Sequence, residues 1–513
     1  MDTEPARPGA PSSASTSGSD PHAPDPAEAG HPVSDRLHNA DLAPPRERRW
    51  KTYSIFALWM NDVHNIGNYT FAAGLFAMGL GAVPSLIALL IGISVVFWGM
   101  NLVGRMGQRT GVPFPVMARI SFGVRGAQLP ALIRAVVAIA WYGIQTYLAS
   151  IAVVVLVLRI APSLQPYAQD SLLGLSTMGW VCFVGLWAVQ LAILSFGMEV
   201  VRRFQDWAGP LVWLVMLALA VWMLVLAGDR IAWDPPNALT GSALWWKVLS
   251  AAGLTISIYG TLMLNFCDFS RFAPAERHVV AGNFWGLPVN FTAFAMVSIV
   301  VTAGTRTLFG RTITDPAEIV AQVPNTAVLV VGALLFALAT IGVNIVANFV
   351  SPAYDLANLA PNRITFRRGG VISAVAAVAV LPWNLYNSPA TVDYFLGGLG
   401  AVLGPLFGVM IVDYWLVRRG RVNVPDLYTH HPDGEYAYRR GVNPRAVIAL
   451  IPSGALGIAM AVVPALSSVS AFSWFAGALS AALVYSVIAD RTRECTDVSG
   501  EHLARTTAAE GIR

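Results

Sequence analysis

The sequence predicts an all-α polytopic membrane protein of about twelve spans, ten of them forming two inverted five-helix blocks. Three observations predict this. The 513 residues are 55% hydrophobic and only 12% charged, which is too apolar for a soluble protein of that size. Runs long enough to cross a bilayer recur along the chain. The first five and the next five occupy blocks of nearly equal length, about 52–228 and 243–417, and an odd number of crossings inverts the second block.

Residues 1–48 are rich in Pro, Ala, Ser, Asp and Gly. Such a stretch cannot bury a core and is expected to be a disordered tail, and it lacks the basic-then-apolar pattern of a signal peptide. The spans of the first repeat (49–228) fall at 52–80, 83–104, 127–158, 174–197 and 207–228. Those of the second repeat (243–419) fall at 243–265, 283–304, 325–350, 370–386 and 393–417. A polar loop, 420–443, leads to two further spans, 444–464 and 468–490, and a polar tail, 491–513.

Lys and Arg set the orientation. With the N-terminus inside, 28 of the 33 basic residues are cytoplasmic, and only Arg159, Arg230, Lys247, Arg306 and Arg311 lie outside. Both termini are therefore expected in the cytoplasm. The 31 Arg against 2 Lys suggest a high-GC bacterium, hence a location in the bacterial inner (plasma) membrane.

The first span contains Asn61-Asp62-Val63-His64-Asn65-Ile66-Gly67-Asn68. An acid, a histidine and three asparagines at membrane depth are costly unless they line a polar cavity, and a glycine among them reads as a broken helix. Span six, the matching position, carries Ser257-Ile258-Tyr259-Gly260-Thr261 and is expected to break there too. Spans three and eight also correspond. Trp141 and Gln145 in one, and Asn344 and Asn348 in the other, are i, i+4 pairs that share a helix face.

Two broken helices and two polar-faced helices would surround one midplane cavity. Trp141, Gln145, Tyr259, Asn348, Asn65 and Asn344 are its expected substrate-binding residues. Aromatic faces stack on a flat ring, and amides supply both donors and acceptors for its N–H and C=O edge. No Arg or Lys lies near the membrane centre of these helices, so a neutral planar ligand fits better than an anion. Asp62 and His64 are candidates to carry a coupling proton; equally, Asp62 can be a permanently ionised structural partner.

Other classes are excluded on the same grounds. The basic residues lie in short loops rather than on one patch, which argues against a nucleic-acid partner. Cys182, Cys267 and Cys495 are scattered, and His430-His431 has no further ligands nearby, so no disulfide framework and no structural metal or cofactor is expected. An embedded enzyme would need a nucleophile–base set or a His-Glu-x-x-His at membrane depth, and neither occurs. A passive channel or a receptor is the remaining rival.

The chain resembles the nucleobase–cation symporter family, which includes hydantoin, allantoin, cytosine and uracil permeases. The likeness runs from about Trp50 to Tyr438. It is carried by Ala118-Arg119 through Phe122-Gly123-Val124-Arg125-Gly126 to Pro130, by Trp141-Tyr142-Gly143-Ile144-Gln145-Thr146, and by Asn265 through Asp268-Phe269-Ser270-Arg271-Phe272-Ala273. It continues in Asn344 through Ala347-Asn348 to Ser351-Pro352-Ala353-Tyr354, in Gly404-Pro405-Leu406-Phe407-Gly408 through Asp413-Tyr414 to Arg418-Arg419, and in Gly434 through Tyr438 to Arg440-Gly441-Val442-Asn443.

The resemblance implies a LeuT-like five-plus-five repeat, alternating access and a cation-coupled heterocyclic substrate stacked on Trp141. It places Tyr259 where a second platform is usually tryptophan, Gln145 and Asn348 at the ring-binding amides, and Asn65 where a hydantoin permease has glutamine. It implies sodium ligation by the carbonyls of Asn61, His64 and Ala339. The two hydroxyl positions of that site fall on Gly342 and Val343, which have no side-chain oxygen, and losing two of five oxygens should weaken a Na⁺ site severely. Coupling to H⁺ is therefore expected over Na⁺. The smaller Tyr259 platform favours a substrate such as allantoin or uracil.

Overall fold

A computed structural model describes residues 31–314, 318–319, 326–386, 397–500 and 503. No strand forms among the described residues, only helices and isolated bridges. Among the described residues, ten helices are long and apolar enough to cross a bilayer: Ala82–Thr110, Gln128–Ile160, Thr177–Ser195, Met198–Arg230, Gly241–Asn265, Glu276–Phe309, Val330–Leu359, Gly400–Val417, Pro444–Val462 and Pro464–Ile488. These are spans two to eight and ten to twelve. Span one is divided into two helices, Thr52–Val63 and Ile66–Ala77, each too short alone. Span nine, Phe366–Ala379, has 14 residues.

The break in span one follows from its polar residues. His64 leaves the helical region (φ −84°, ψ 64°) and Asn65 is extended (φ −126°, ψ 164°). Asn65 then caps the second half, its Oδ1 accepting from the Asn68 N–H at 2.9 Å, which satisfies one of the donors a helix start leaves open.

Span six does not break where expected. It is helical from Gly241 to Asn265, straight through Ser257–Thr261. Gly260 serves packing instead, because a Cβ there would collide with the indole of Trp474 on span twelve. Spans seven, eight and ten contain wider π turns, at Trp285–Val289, Asn344–Phe349 and Val412–Val417. Such turns shift the register of the side chains that follow them.

The inverted repeat is visible in the packing. Span two lies along span six, and span seven along span one; span one packs on span five, and span six on span ten; span three meets span eight between the blocks. Spans eleven and twelve pack on span ten.

The N-terminal boundary differs from expectation. Composition predicts a disordered tail to residue 48, but from His31 the chain lies across one end of the bundle, with Leu37, Leu42, Ala43 and Trp50 buried. Asn39 donates to the carbonyls of Pro361 (3.1 Å) and Ile364 (3.2 Å), and Arg271 donates to those of Asp41 (3.0 Å) and Ala43 (2.7 Å). Tyr428, from the loop after span ten, donates its hydroxyl to the Leu42 carbonyl at 2.8 Å. A few apolar residues and a paired backbone suffice to seat a segment whose overall composition reads as disordered. We call this end the tail face. Residues 1–30 of the expected tail, and 501–502 and 504–513 of the C-terminal one, lie outside the described residues.

Candidate functional site

A cavity of about 960 Å³ lies between the two repeats. It runs from Asp62 in span one and Asn348 in span eight to Val463 and Pro464 between spans eleven and twelve, the end opposite the tail face. On the tail side a packed layer closes it. Trp59 stacks on Phe266 with centroids 5.3 Å apart and donates its indole N–H to Asn283 Oδ1 at 2.8 Å.

Five of the six expected binding residues line the cavity: Trp141, Gln145, Tyr259, Asn348 and Asn65. Trp141 and Gln145 project together from span three, as their i, i+4 spacing requires. Trp141 is half-buried, and the Gln145 side chain forms no hydrogen bond to any described residue, so its amide is available to a ligand. Tyr259 is held edge-on by Phe291, with centroids 5.7 Å apart and planes at 85°, and its hydroxyl accepts from Asn68 Nδ2 at 2.9 Å.

Asn344 does not line the cavity. Its Nδ2 faces the gap between spans three and four, 3.1 Å from the Tyr142 carbonyl, 2.9 Å from Thr146 Oγ1 and 2.8 Å from Gln190 Oε1. Its Oδ1 accepts from Asn348 Nδ2 at 3.0 Å. The π turn carries both asparagines and separates their roles: Asn344 holds Asn348, and the Asn348 carbonyl oxygen is left to the cavity. Buried amides of this kind are satisfied or costly.

Asn65 reaches the cavity with its amide already engaged, since Oδ1 caps the helix and Nδ2 donates closely to the Asp62 carbonyl. The amide that leaves this break toward span six is that of Asn68, a residue not singled out from the sequence. It donates to Tyr259 and to the Val63 carbonyl (3.0 Å). Its place three residues after the Asn65 cap, within the same polar run, was the available signal.

The two proton candidates part company. Asp62 lines the cavity, within electrostatic reach of the Tyr259 hydroxyl. His64 points away from it. Its Nε2 donates to Asn290 Oδ1 at 2.9 Å, which also accepts from Trp213 Nε1 at 2.7 Å, and its ring packs on Phe294 at 4.9 Å. Residues two apart on a helix do not share a face, so the spacing of Asp62 and His64 already separates them.

Asn61 joins three spans. Its Nδ2 donates to the Ala57 carbonyl (2.8 Å) and to the Gln205 carbonyl of span five (2.9 Å). Its Oδ1 has no hydrogen-bond partner among the described residues and faces span eight, where a Cβ on Gly342 would come within 2.6 Å of it. A hydroxyl-bearing side chain at Gly342 therefore has no room while Asn61 keeps this position.

A family model described as a permease for cytosine/purines, uracil, thiamine and allantoin matches residues 43–477. The allantoin permease of Bacillus subtilis is 40% identical over 462 residues, covering 89% of this chain and 94% of that protein. The purine-uracil permease NCS1 of Arabidopsis thaliana is 34% identical, covering 81% and 70%, and a putative allantoin permease of Escherichia coli is 30% identical, covering 89% and 96%. Among solved structures, Mhp1, a nucleobase-cation-symport-1 family transporter, in a closed conformation with bromovinylhydantoin bound, superposes with a TM-score of 0.72 at 23% identity, over 92% of this chain and 96% of that one. Its inward-facing conformation gives 0.66, over 92% and 95%. The structural likeness shows the fold, a LeuT-like five-plus-five repeat.

Proposed function

This chain belongs to the nucleobase:cation symporter family, and on that premise we propose that it imports a neutral, planar, polar heterocycle of the allantoin kind by proton-coupled alternating access. It is a permease and not an enzyme, as its relatives are. It is a multi-pass membrane transporter of nucleobase-like or hydantoin-like compounds. The substrate choice, the ion and the orientation are the proposed part.

The observation that carries the reading is one cavity lined at once by Trp141, Tyr259, Gln145 and Asn348. Two aromatic side chains and two amides suit a flat ring edged with N–H and C=O groups. Among the described residues that line it, Asp62 carries the only carboxyl and there is no Arg or Lys to hold an anion. Allantoin has many hydrogen-bonding groups and little aromatic area, which suits Tyr259 in the second platform. The likeness to allantoin permeases supports the same choice.

The basic-residue asymmetry supports a plasma-membrane protein with both termini, and so the tail face, in the cytoplasm. The cavity would then reach toward the outside while the inner end is closed.

Proton coupling is supported by Gly342 and Val343, which offer no hydroxyl, and by Asn61, which fills the space beside Gly342. The carbonyls of Asn61, His64 and Ala339 alone would be a poor sodium cage. Asp62, in the cavity, is the better placed of the two proton candidates, and His64 would act on span packing. A second reading, sodium coupling, rests on one observation: the buried, unpartnered Asn61 Oδ1 could replace one lost hydroxyl.

Uptake of labelled allantoin into proteoliposomes tests both readings. An inward proton gradient should drive accumulation at equal Na⁺ on both sides. Accumulation that needs a Na⁺ gradient and ignores pH would replace the first reading by the second. Absence of allantoin uptake with robust uracil or hydantoin uptake would overturn the substrate choice.

A further inference from the structure

Between the cavity and the tail face lies a polar cluster that no part of substrate binding uses. Arg134 of span three, Asp268 in the turn after span six and Asp355 of span eight are all fully buried. Two carboxyls thus share the interior with Arg134, and Arg271, also buried, lies on the Asp268 side.

The two carboxyls are treated differently. Asp268 is solvated by the protein: Oδ1 accepts from the Phe114 N–H at 2.7 Å, and Oδ2 accepts from Asn265 Nδ2 at 3.0 Å and from Ser351 Oγ at 3.2 Å. Arg134 reaches the same network, its Nε donating to Asn265 Oδ1 at 3.3 Å. Asp355 has nothing comparable. Neither of its oxygens has a hydrogen-bond partner among the described residues, and neither does Nη1 of Arg134.

A buried carboxylate without a donor is costly by several kcal/mol, and a carboxylic acid avoids that cost by holding its proton. The remaining groups around Asp355 do not supply a second counter-charge. Cys267 and Tyr354 are neutral neighbours, Arg271 is directed to the Asp41 and Ala43 carbonyls, and Arg119 is directed to Asn358 and the Leu427 carbonyl. Arg134 is shared between Asp355 and Asp268, whereas Arg271 acts on Asp268 alone.

We propose that Asp355 is a proton-binding site, loaded while the tail-side end of the bundle is closed and emptied when that end opens to water. In the step, the Asp355 O–H bond breaks, the proton passes to water entering from the tail face, and the carboxylate left behind is taken up by the free Nη1 of Arg134. Arg134 also ties the site to the cavity. Its Nη2 donates to the Ala347 carbonyl at 2.7 Å, one residue before Asn348 in the π turn. Pulling Arg134 toward an ionised Asp355 would loosen that contact beside the ligand amide. Asp355 is here a positioning and proton-holding residue, not a substrate contact. The coupling role rests on the preceding reading of proton-coupled alternating access, whereas the protonation of Asp355 stands apart from it.

The test uses full-length protein carrying Asp62→Asn, which removes the carboxyl that lines the cavity. Infrared difference spectra between neutral and alkaline pH should show a protonated-carboxyl band that Asp355→Asn abolishes. A band that survives Asp355→Asn, or a protein with no protonated carboxyl at neutral pH, overturns the proposal. Should Asp355→Asn not fold, carboxyl-labelled aspartate NMR on the Asp62→Asn protein decides the same point, since every carboxyl ionised at neutral pH would overturn it. In proteoliposomes, Asp355→Asn in the otherwise native chain should keep substrate exchange and lose at least tenfold of the accumulation driven by a proton gradient; unchanged accumulation would overturn the coupling role. If native protein proves sodium-driven, the proposed ion coupling fails, and the spectroscopic result still stands or falls by itself.

Discussion

Asn68 donates its amide to the Tyr259 hydroxyl at 2.9 Å, joining the break of span one to the aromatic platform of span six. The two residues are 191 positions apart and hold the two repeats together beside the cavity. Tyr259→Phe keeps the ring and strands the Asn68 donor. Loss of one such bond is worth about 1 kcal/mol, so ligand affinity is expected to fall roughly five- to tenfold. Isothermal titration with allantoin reads this directly, and unchanged affinity would remove the pair from the site.

Trp141 is half-buried and faces the cavity. Trp141→Ala should cost roughly 1–3 kcal/mol of stacking, an affinity loss of about 5- to 150-fold. The melting temperature of the ligand-free protein should change little, because the ring is only partly in the core. A large drop in melting temperature with intact affinity would mean the ring is packing.

Asn344 and Gln145 should separate by phenotype. Asn344→Ala leaves Gln190, Thr146 and Asn348 short of partners and is expected to cost about 1–3 kcal/mol of stability as well as affinity. Gln145→Ala, with no internal bond to lose, should weaken binding alone. Paired thermal-melt and titration measurements on the two variants check this; equal melting losses would contradict it.

Gly342→Ser restores a hydroxyl to span eight, but its Cβ would meet Asn61 Oδ1 at 2.6 Å. The single variant should be destabilised by about 1–3 kcal/mol, the usual cost of overpacking, and show no thermal stabilisation by NaCl. Asn61→Ala with Gly342→Ser should recover stability. Stabilisation of the unaltered protein by NaCl, absent with choline chloride, would favour the sodium reading.

Gly260→Leu should push Trp474 and span twelve away from span six. Overpacking of this kind costs about 1–3 kcal/mol, visible as a lower melting temperature in detergent. An unaffected melting temperature would show that span twelve yields easily, contrary to the contact at Gly260.

Much of this protein was determined by local sequence. Long apolar runs must become helices in lipid, since the backbone has no other partner there, and the count, the repeat and the break at Asn65 follow from composition and spacing. The i, i+4 pairing of Trp141 with Gln145 put both at the cavity for the same reason. Tertiary structure alone decided what depends on neighbours distant in the chain. Gly260 looked like a helix break and is a seat for Trp474. Asn344 and Asn348 looked equivalent, and a π turn together with Gln190 made one the support of the other. Asp62 and His64 could not share a face at their spacing, but which of them met the cavity and which met Asn290 was set by packing. Residues 31–50 are ordered by carbonyls and side chains offered across the tail face. Periodicity states which face a side chain shares within its own helix, whereas the partner on that face is chosen by packing.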